Sequence, residues 1–378
     1  MSLREIGWVV VLTGLPFAHF LFRPLDPWHG QALWWQLGVL GMWAWIIGAG
    51  GGATVRNRPL GWLIAWLGVL VLSLWTKTIL KDHLYPLPML QGALHVLLVV
   101  MVYQAMTMSL TLDGIQRVSL WIAWATVALI VYGVLQVCNL DQFFRSLDPA
   151  LKRDTLVGTI GNPSHFAAQL AVLTPWLWIQ RHWSRWVGVT GSLIMVLCCH
   201  SAGGLLAWLV ATGLLIWWLR PRWRVGFAVV TVGLLGVWVL QRDALNPYGR
   251  WQAWQAFYHI FQQQPITGMG PGFVMELSRT FKLGDPLFTW RHVHNEVFQL
   301  AIEWGLIGAG LFLWLCCDAV RRVWRAEKTP VVVACAASLA AILVNSLVNF
   351  PLHLAAIGGF GLFAYAGICL SKPRTRIC

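Results

Sequence analysis

The chain has 378 residues, of which 58% are hydrophobic and 11% charged, and a formal net charge of +13. A soluble domain carries roughly 25% charged residues, so this composition excludes one and predicts an all-α polytopic membrane protein. The positive balance does not indicate a nucleic-acid partner, because the basic residues are spread over short connections and form no single patch.

Apolar runs near the roughly 20 residues that cross a hydrocarbon core recur twelve times, predicting about 12 transmembrane helices. They cover 6–22, 33–52, 60–74, 89–110, 118–138, 164–180, 186–200, 204–219, 225–240, 296–317, 331–348 and 354–370. Arg4 precedes the first run, and no small-residue cleavage site follows it, which reads as a signal-anchor. Alternate connections (1–5, 53–59, 111–117, 181–185, 220–224, 318–330 and 371–378) hold 16 of the 27 Lys and Arg residues. Basic residues beside span ends stay cytoplasmic, so both termini are expected inside and the other connections outside. The 26 Trp residues suit bilayer interfaces and core packing, and Trp217, Trp218 and Trp223 beside Arg220 and Arg222 read as a cytoplasmic-side belt. The eight Cys include the adjacent pairs Cys198–Cys199 and Cys316–Cys317 but no CxxC, a pattern that argues against a structural disulfide or a metal site.

The chain therefore reads as a single membrane domain, 1–378, with two long outer segments, 139–163 and 241–295. In the first, Gly161-Asn162-Pro163-Ser164 is turn chemistry ahead of a helix, with Pro163 near the first helical position and Ser164 as a cap. A second reading has Lys152, Arg153 or Asn162 binding an anion. In the second segment Trp251, Trp254, Tyr258 and Phe261 fall at helical spacing from Arg250 to Gln264, which predicts an amphipathic helix lying flat at the outer interface. Arg250 sits in its first turn, where the helix dipole favours anions, and either a phosphate or lipid headgroups would account for it. The glycines of Gly268-Met-Gly270-Pro-Gly272 can form an anion-binding nest or simply a tight turn.

Where this segment re-enters the membrane, the sequence reads Arg291-His292-Val293-His294-Asn295-Glu296. A histidine here can take a proton near neutral pH or face a phosphate when charged, and Asn295 can cap the incoming helix. Glu296, Gln299 and Glu303 then follow on one face as a polar stripe, and ionisable groups in a span usually face a cavity or the protein interior. A metal at His292 and His294 is the competing reading, but no third ligand stands at a recognisable spacing.

These residues also carry a resemblance. Gly249-Arg250-Trp-x-x-Trp254, Pro265-Ile-Thr-Gly268-Met-Gly270-Pro-Gly272 and His292-Val-His294-Asn295-Glu296-x-x-Gln299-x-x-x-Glu303-x-Gly305-x-x-Gly308 together resemble the O-antigen ligase and polymerase superfamily of bacterial inner-membrane glycan transferases. Gly158-Thr-Ile-Gly161-Asn162-Pro163 is similar to that family's turn before the sixth span. The resemblance implies transfer of a glycan from undecaprenyl diphosphate to an acceptor hydroxyl at the periplasmic face, without metal or other cofactor. It makes Arg250 a diphosphate ligand and His294 the base, with His292 as the second candidate; Arg291, Lys152 and Arg153 are further candidates for the diphosphate. The acceptor is a lipid A core sugar for a ligase, a second lipid-linked glycan for a polymerase, and a protein hydroxyl for an O-oligosaccharyltransferase; the ligase reading is preferred. One departure is clear: where the family shows Ser-Arg-Gly, this chain has Ser201-Ala202-Gly203, so an arginine of the diphosphate clamp is absent, and His200 or Arg291 is the expected substitute. A transporter remains the reading from a different class, favoured by intramembrane Glu303, Asn345 and Asn349 and opposed by the lack of matched halves.

Overall fold

The computed structural model describes residues 1–18, 27–48, 86–141, 156–180, 184–239, 250–280 and 292–373. The expected span 60–74 and the candidates Lys152, Arg153 and Arg291 lie outside them. Among the described residues the protein is all-helical, with α-helices α1 (Leu3–Gly14), α2 (Pro27–Gly48), α3 (Pro86–Ser109), α4 (Leu112–Val137), α5 (Pro163–Trp178), α6 (Ser184–Cys198), α7 (Ala202–Leu219), α8 (Arg224–Val239), α9 (Arg250–Phe261), α10 (Phe273–Thr280), α11 (Glu296–Arg325), α12 (Pro330–Ser346) and α13 (Ala355–Cys369). Three of these, α4, α7 and α11, are long and apolar enough by length and composition to cross a membrane.

α5 is the central helix. It packs against α4, α6, α7 and α12, and every residue from His165 to Trp178 is buried, the pattern of a helix with no solvent or lipid face. Small residues bring its neighbours close: a Cβ on Gly204 of α7 would stand 2.3 Å from the Cβ of Ala167. Hydroxyls tie the contacts, with Ser338 of α12 donating to the Val172 carbonyl at 2.8 Å and Trp208 Nε1 donating to Ser192 Oγ at 3.0 Å. Asn162, not Ser164, caps α5: its Oδ1 accepts from the N–H groups of Ser164 at 2.9 Å and His165 at 3.2 Å, with Pro163 at the first helical position.

The bundle has two chemically different ends. At one, Trp178, Trp186 and Trp223 pack ring on ring, and Arg185, Arg224 and Lys328 lie over Trp186, Trp217 and Trp218. Arg117 pairs there with Glu5 through two hydrogen bonds. This end gathers the Trp217, Trp218 and Trp223 group expected from the sequence. The opposite end gathers the starts of α5, α7, α11 and α13 with the ends of α6 and α12, and it carries the histidines.

α11 is not one continuous helix. Gly305 has φ 68° and ψ −173°, so the helix breaks there, in a conformation that favours glycine. The segment Pro265–Gly270 docks into the break: Met269 N–H donates to the Ile302 carbonyl at 2.7 Å, Gly270 N–H to the Glu303 carbonyl at 2.8 Å, and Leu306 N–H to the Pro265 carbonyl at 2.8 Å. Backbone groups freed by the break are therefore re-satisfied by the neighbouring segment, as a helix interior demands.

Candidate active site

Arg250 opens α9, and Nη1 of its guanidinium donates to the Val348 carbonyl at 2.9 Å. α9 buries Ala253 and Phe257 against Val274, Val293 and Ile302. The expected aromatic stripe is split: Trp251 and Tyr258 are about half exposed, while Trp254 Nε1 donates to the Val293 carbonyl at 2.7 Å. That bond and the burial of Val293 fix the histidine segment to α9. With Val293 turned into the packing, His292 and His294 are left to face Phe350. His292 stacks on its ring at 3.9 Å between centroids, and His294 meets its edge at 5.0 Å. His294 holds φ 56°, a backbone strain for a non-glycine residue of a kind that collects at functional sites.

The polar stripe of α11 is buried as expected. Asn295 caps the helix, Oδ1 accepting from Phe298 N–H at 2.9 Å, while its Nδ2 donates to the Leu347 carbonyl at 3.2 Å. Gln299 is the hub of the stripe. Its Oε1 accepts from Val293 N–H at 3.2 Å, which orients the amide, and its Nε2 lies 3.3 Å from each of Glu303 Oε1, His292 Nδ1 and His353 Nε2. Two amide hydrogens suffice for Glu303 and His292, and His353 Nε2 accepts one only when that ring is neutral.

The glycine turn packs against a side chain of the protein itself. Gly268, Gly270 and Gly272 all have positive φ, and the turn they build brings Val274 N–H to the Glu303 carboxylate at 3.4 Å, so this turn builds the wall of the site.

Four residues of the site were not singled out for it by the sequence: His165, Asn349, Phe350 and His353. The connection between α12 and α13 forms the floor, running from Val348 beneath Arg250 through Phe350 to His353. His165, in the first turn of α5, packs edge-on to Phe350 at 4.8 Å and lies 3.2 Å from Asn349 Nδ2 through its Nδ1. Asn162 thus borders the site through the helix start that it caps. His353 Nδ1 lies 3.1 Å from Glu296 Oε1, and its ring is 4.9 Å from that of His292. A histidine on a five-residue outer connection was the available signal. At the missing-arginine position, Ala202 opens α7 beside this floor, since a Cβ on Gly203 would meet Val348. His200, with φ 49°, is exposed.

The imidazoles are tuned apart. Burial and the charge of Arg250 hold His294 down to about 4, against a hydrogen bond to Asn349 that favours the protonated ring. Burial and the positive potential of His353, His294 and His165 hold His292 well below the ordinary histidine range. Burial also opposes charge on His353, but the carboxylates of Glu296, by charge and hydrogen bond, and of Glu303 outweigh it and push this imidazole up to about 9. At neutral pH His292 and His294 are therefore neutral, while His353 and Arg250 are cations. Among the described residues no group of three or more His, Cys, Asp or Glu side chains is placed to hold a metal ion.

A basic side chain at a helix start, a neutral histidine beside it and a buried acidic stripe behind them all fall inside one matched stretch: the family model described as O-Antigen ligase covers residues 187–313. Over that stretch, about a third of the chain, the sequence is similar to the O-antigen ligase family. Members of this family are glycosyltransferase or ligase enzymes, and the match supports glycan transfer of the O-antigen ligase or polymerase type. No curated protein sequence matches the chain. The matched stretch contains Arg250, His292, His294, Asn295, Glu296, Gln299 and Glu303, whereas His165 and the Val348–His353 floor lie outside it.

Proposed function

We propose that the protein transfers a glycan from undecaprenyl diphosphate to an acceptor hydroxyl at the periplasmic face of the bacterial inner membrane, as an O-antigen ligase acting on a lipid A core sugar. The observation that carries this reading is the convergence of Arg250 and His294 on the Val348–Phe350 floor, at the end of the bundle away from the arginine and tryptophan cluster. A guanidinium suits a diphosphate, and an imidazole held neutral suits general-base work at physiological pH.

In the proposed step the acceptor oxygen attacks the anomeric carbon and its proton passes to the neutral imidazole of His294. The bond between the anomeric carbon and the diphosphate oxygen breaks, its electron pair leaving with undecaprenyl diphosphate, whose negative charge Arg250 offsets. One displacement inverts the anomeric centre. His292, stacked on Phe350 and held by Gln299, supports His294 from behind.

The test is transfer by purified protein supplied with lipid-linked glycan in EDTA. Wild-type turnover from His294→Ala would rule out the base, and strict dependence on a divalent metal would overturn the metal-free scheme. In a deletion strain, lipid-linked polymer left unattached is the ligase outcome; single repeats on the core would instead identify a polymerase.

A further inference from the structure

Glu296 is 1% exposed, and Oε1 of its carboxylate meets His353. Its other oxygen makes no hydrogen bond among the described residues. Burying a carboxylate is costly unless it is paired, so Glu296 needs a cationic partner. A purely structural pair would be enclosed on both sides, yet the His353 side chain keeps 31% of its surface open. Its ring also neighbours His292 on the working side of the cluster. Arg250 and His353 therefore stand at opposite ends of one short floor, with His294 and His292 on Phe350 between them. A diphosphate carries at least two negative charges, more than a single guanidinium neutralises.

We propose that His353, paired to Glu296, is a second cationic contact for the diphosphate, acting at the far end of the floor from Arg250. This rests on the reading of the substrate given above. Glu296 has the orienting role: by engaging Nδ1 it turns the Nε2 edge toward the cluster, the arrangement in which a carboxylate fixes an imidazole for work at its other nitrogen. The charged and titratable groups facing His353 and its neighbours are Glu296 and Glu303 from α11, His292 and His294 from the segment before it, His165 from α5, and Arg250 from α9. The two carboxylates favour the charged form, so the contact is present at neutral pH and is lost as pH rises past about 9.

The experiment measures binding of undecaprenyl diphosphate to the full-length protein in detergent from pH 6 to 10, together with glycan transfer. A charge-assisted contact of this kind is worth about ten- to a hundredfold in affinity. His353→Gln is expected to lose that factor at pH 7 and to abolish the weakening of binding above pH 9; His353→Lys is expected to restore affinity and move that weakening to higher pH. If His353→Gln does not fold because Glu296 is stranded, the double variant Glu296→Gln/His353→Gln removes the stranded carboxylate and is measured in the same way. Wild-type affinity and an unchanged alkaline limb in a folded variant without His353 would overturn the inference alone. A wild-type protein that neither binds the lipid diphosphate nor transfers glycan would overturn the substrate reading, and this inference with it.

Discussion

At pH 7 the imidazoles around Phe350 stand in opposite protonation states although they share one ring as a neighbour, and each state traces to a named contact. His294 is neutral because it is enclosed and beside Arg250, and His353 is charged because Glu296 and Glu303 face it. Pairs of titratable groups pushed apart in this way mark acid and base roles. The sign for activity follows. Falling pH charges the base near 4, and rising pH discharges His353 near 9, so transfer rate against pH is expected to form a plateau with a limb at each end. His294→Ala should lower the rate about a hundred- to ten-thousandfold with the melting temperature little changed, as measured by turnover and thermal unfolding. Arg250→Gln should do two things at once: weaken the lipid diphosphate, and move the acid limb up toward the ordinary histidine value, because a charge that depresses His294 has gone. A loss of rate with an unmoved acid limb would separate Arg250 from His294.

The site is assembled by elements whose ends are irregular for a reason. The break in α11 at Gly305 opens carbonyls that the Pro265–Gly270 segment fills, and the same segment carries the turn that holds the Glu303 carboxylate. A side chain at Gly305 would place its Cβ 1.9 Å from the Ile266 carbonyl oxygen and would hold a positive-φ, extended-ψ conformation that is essentially confined to glycine and costs roughly 1–3 kcal/mol. Gly305→Ala should therefore lower the melting temperature and the transfer rate together. Gly310→Ala in the same helix meets open space and should leave both unchanged. The helices were largely legible because their apolar runs are long; α5, α7 and α12 begin and end within two residues of the expected spans. The HxH spacing was legible too, since alternate residues fall on one side with Val293 turned away. The break at Gly305 was hidden, because an apolar run gives no sign that a segment about 40 residues earlier will enter it. The role of Phe350 was equally hidden: a lone aromatic residue in a short connection looks like core until four histidines are seen around it.

The molecule as a whole separates a tryptophan- and arginine-rich end from a histidine-rich end, and the charge bias of the connections is the ground for the proposed orientation, with the first end in the cytoplasm. In a cysteine-free background, His200→Cys is expected to react with a membrane-impermeant thiol reagent in cells whose outer membrane alone is permeabilised, and Arg222→Cys to react only after the inner membrane is opened. Both positions are exposed, so the reversed pattern would invert the proposed orientation.

The floor from Val348 to His353 also sets when the site can exist. Synthesis proceeds from the N-terminus, and the stretch matched to the O-antigen ligase family is complete by residue 313. Arg250 and both histidines of the HxH segment are then in place, but Phe350 and His353 are still unmade, and α13, which follows them, has not entered the bundle. A nascent or truncated chain ending near residue 313 thus holds every residue the sequence nominates for the chemistry, without the surface on which they meet. Co-expressing residues 326–378, the part of the chain after α11, as a separate fragment is the direct way to ask whether the end of the chain works as a timer that keeps unfinished enzyme from engaging lipid-linked glycan.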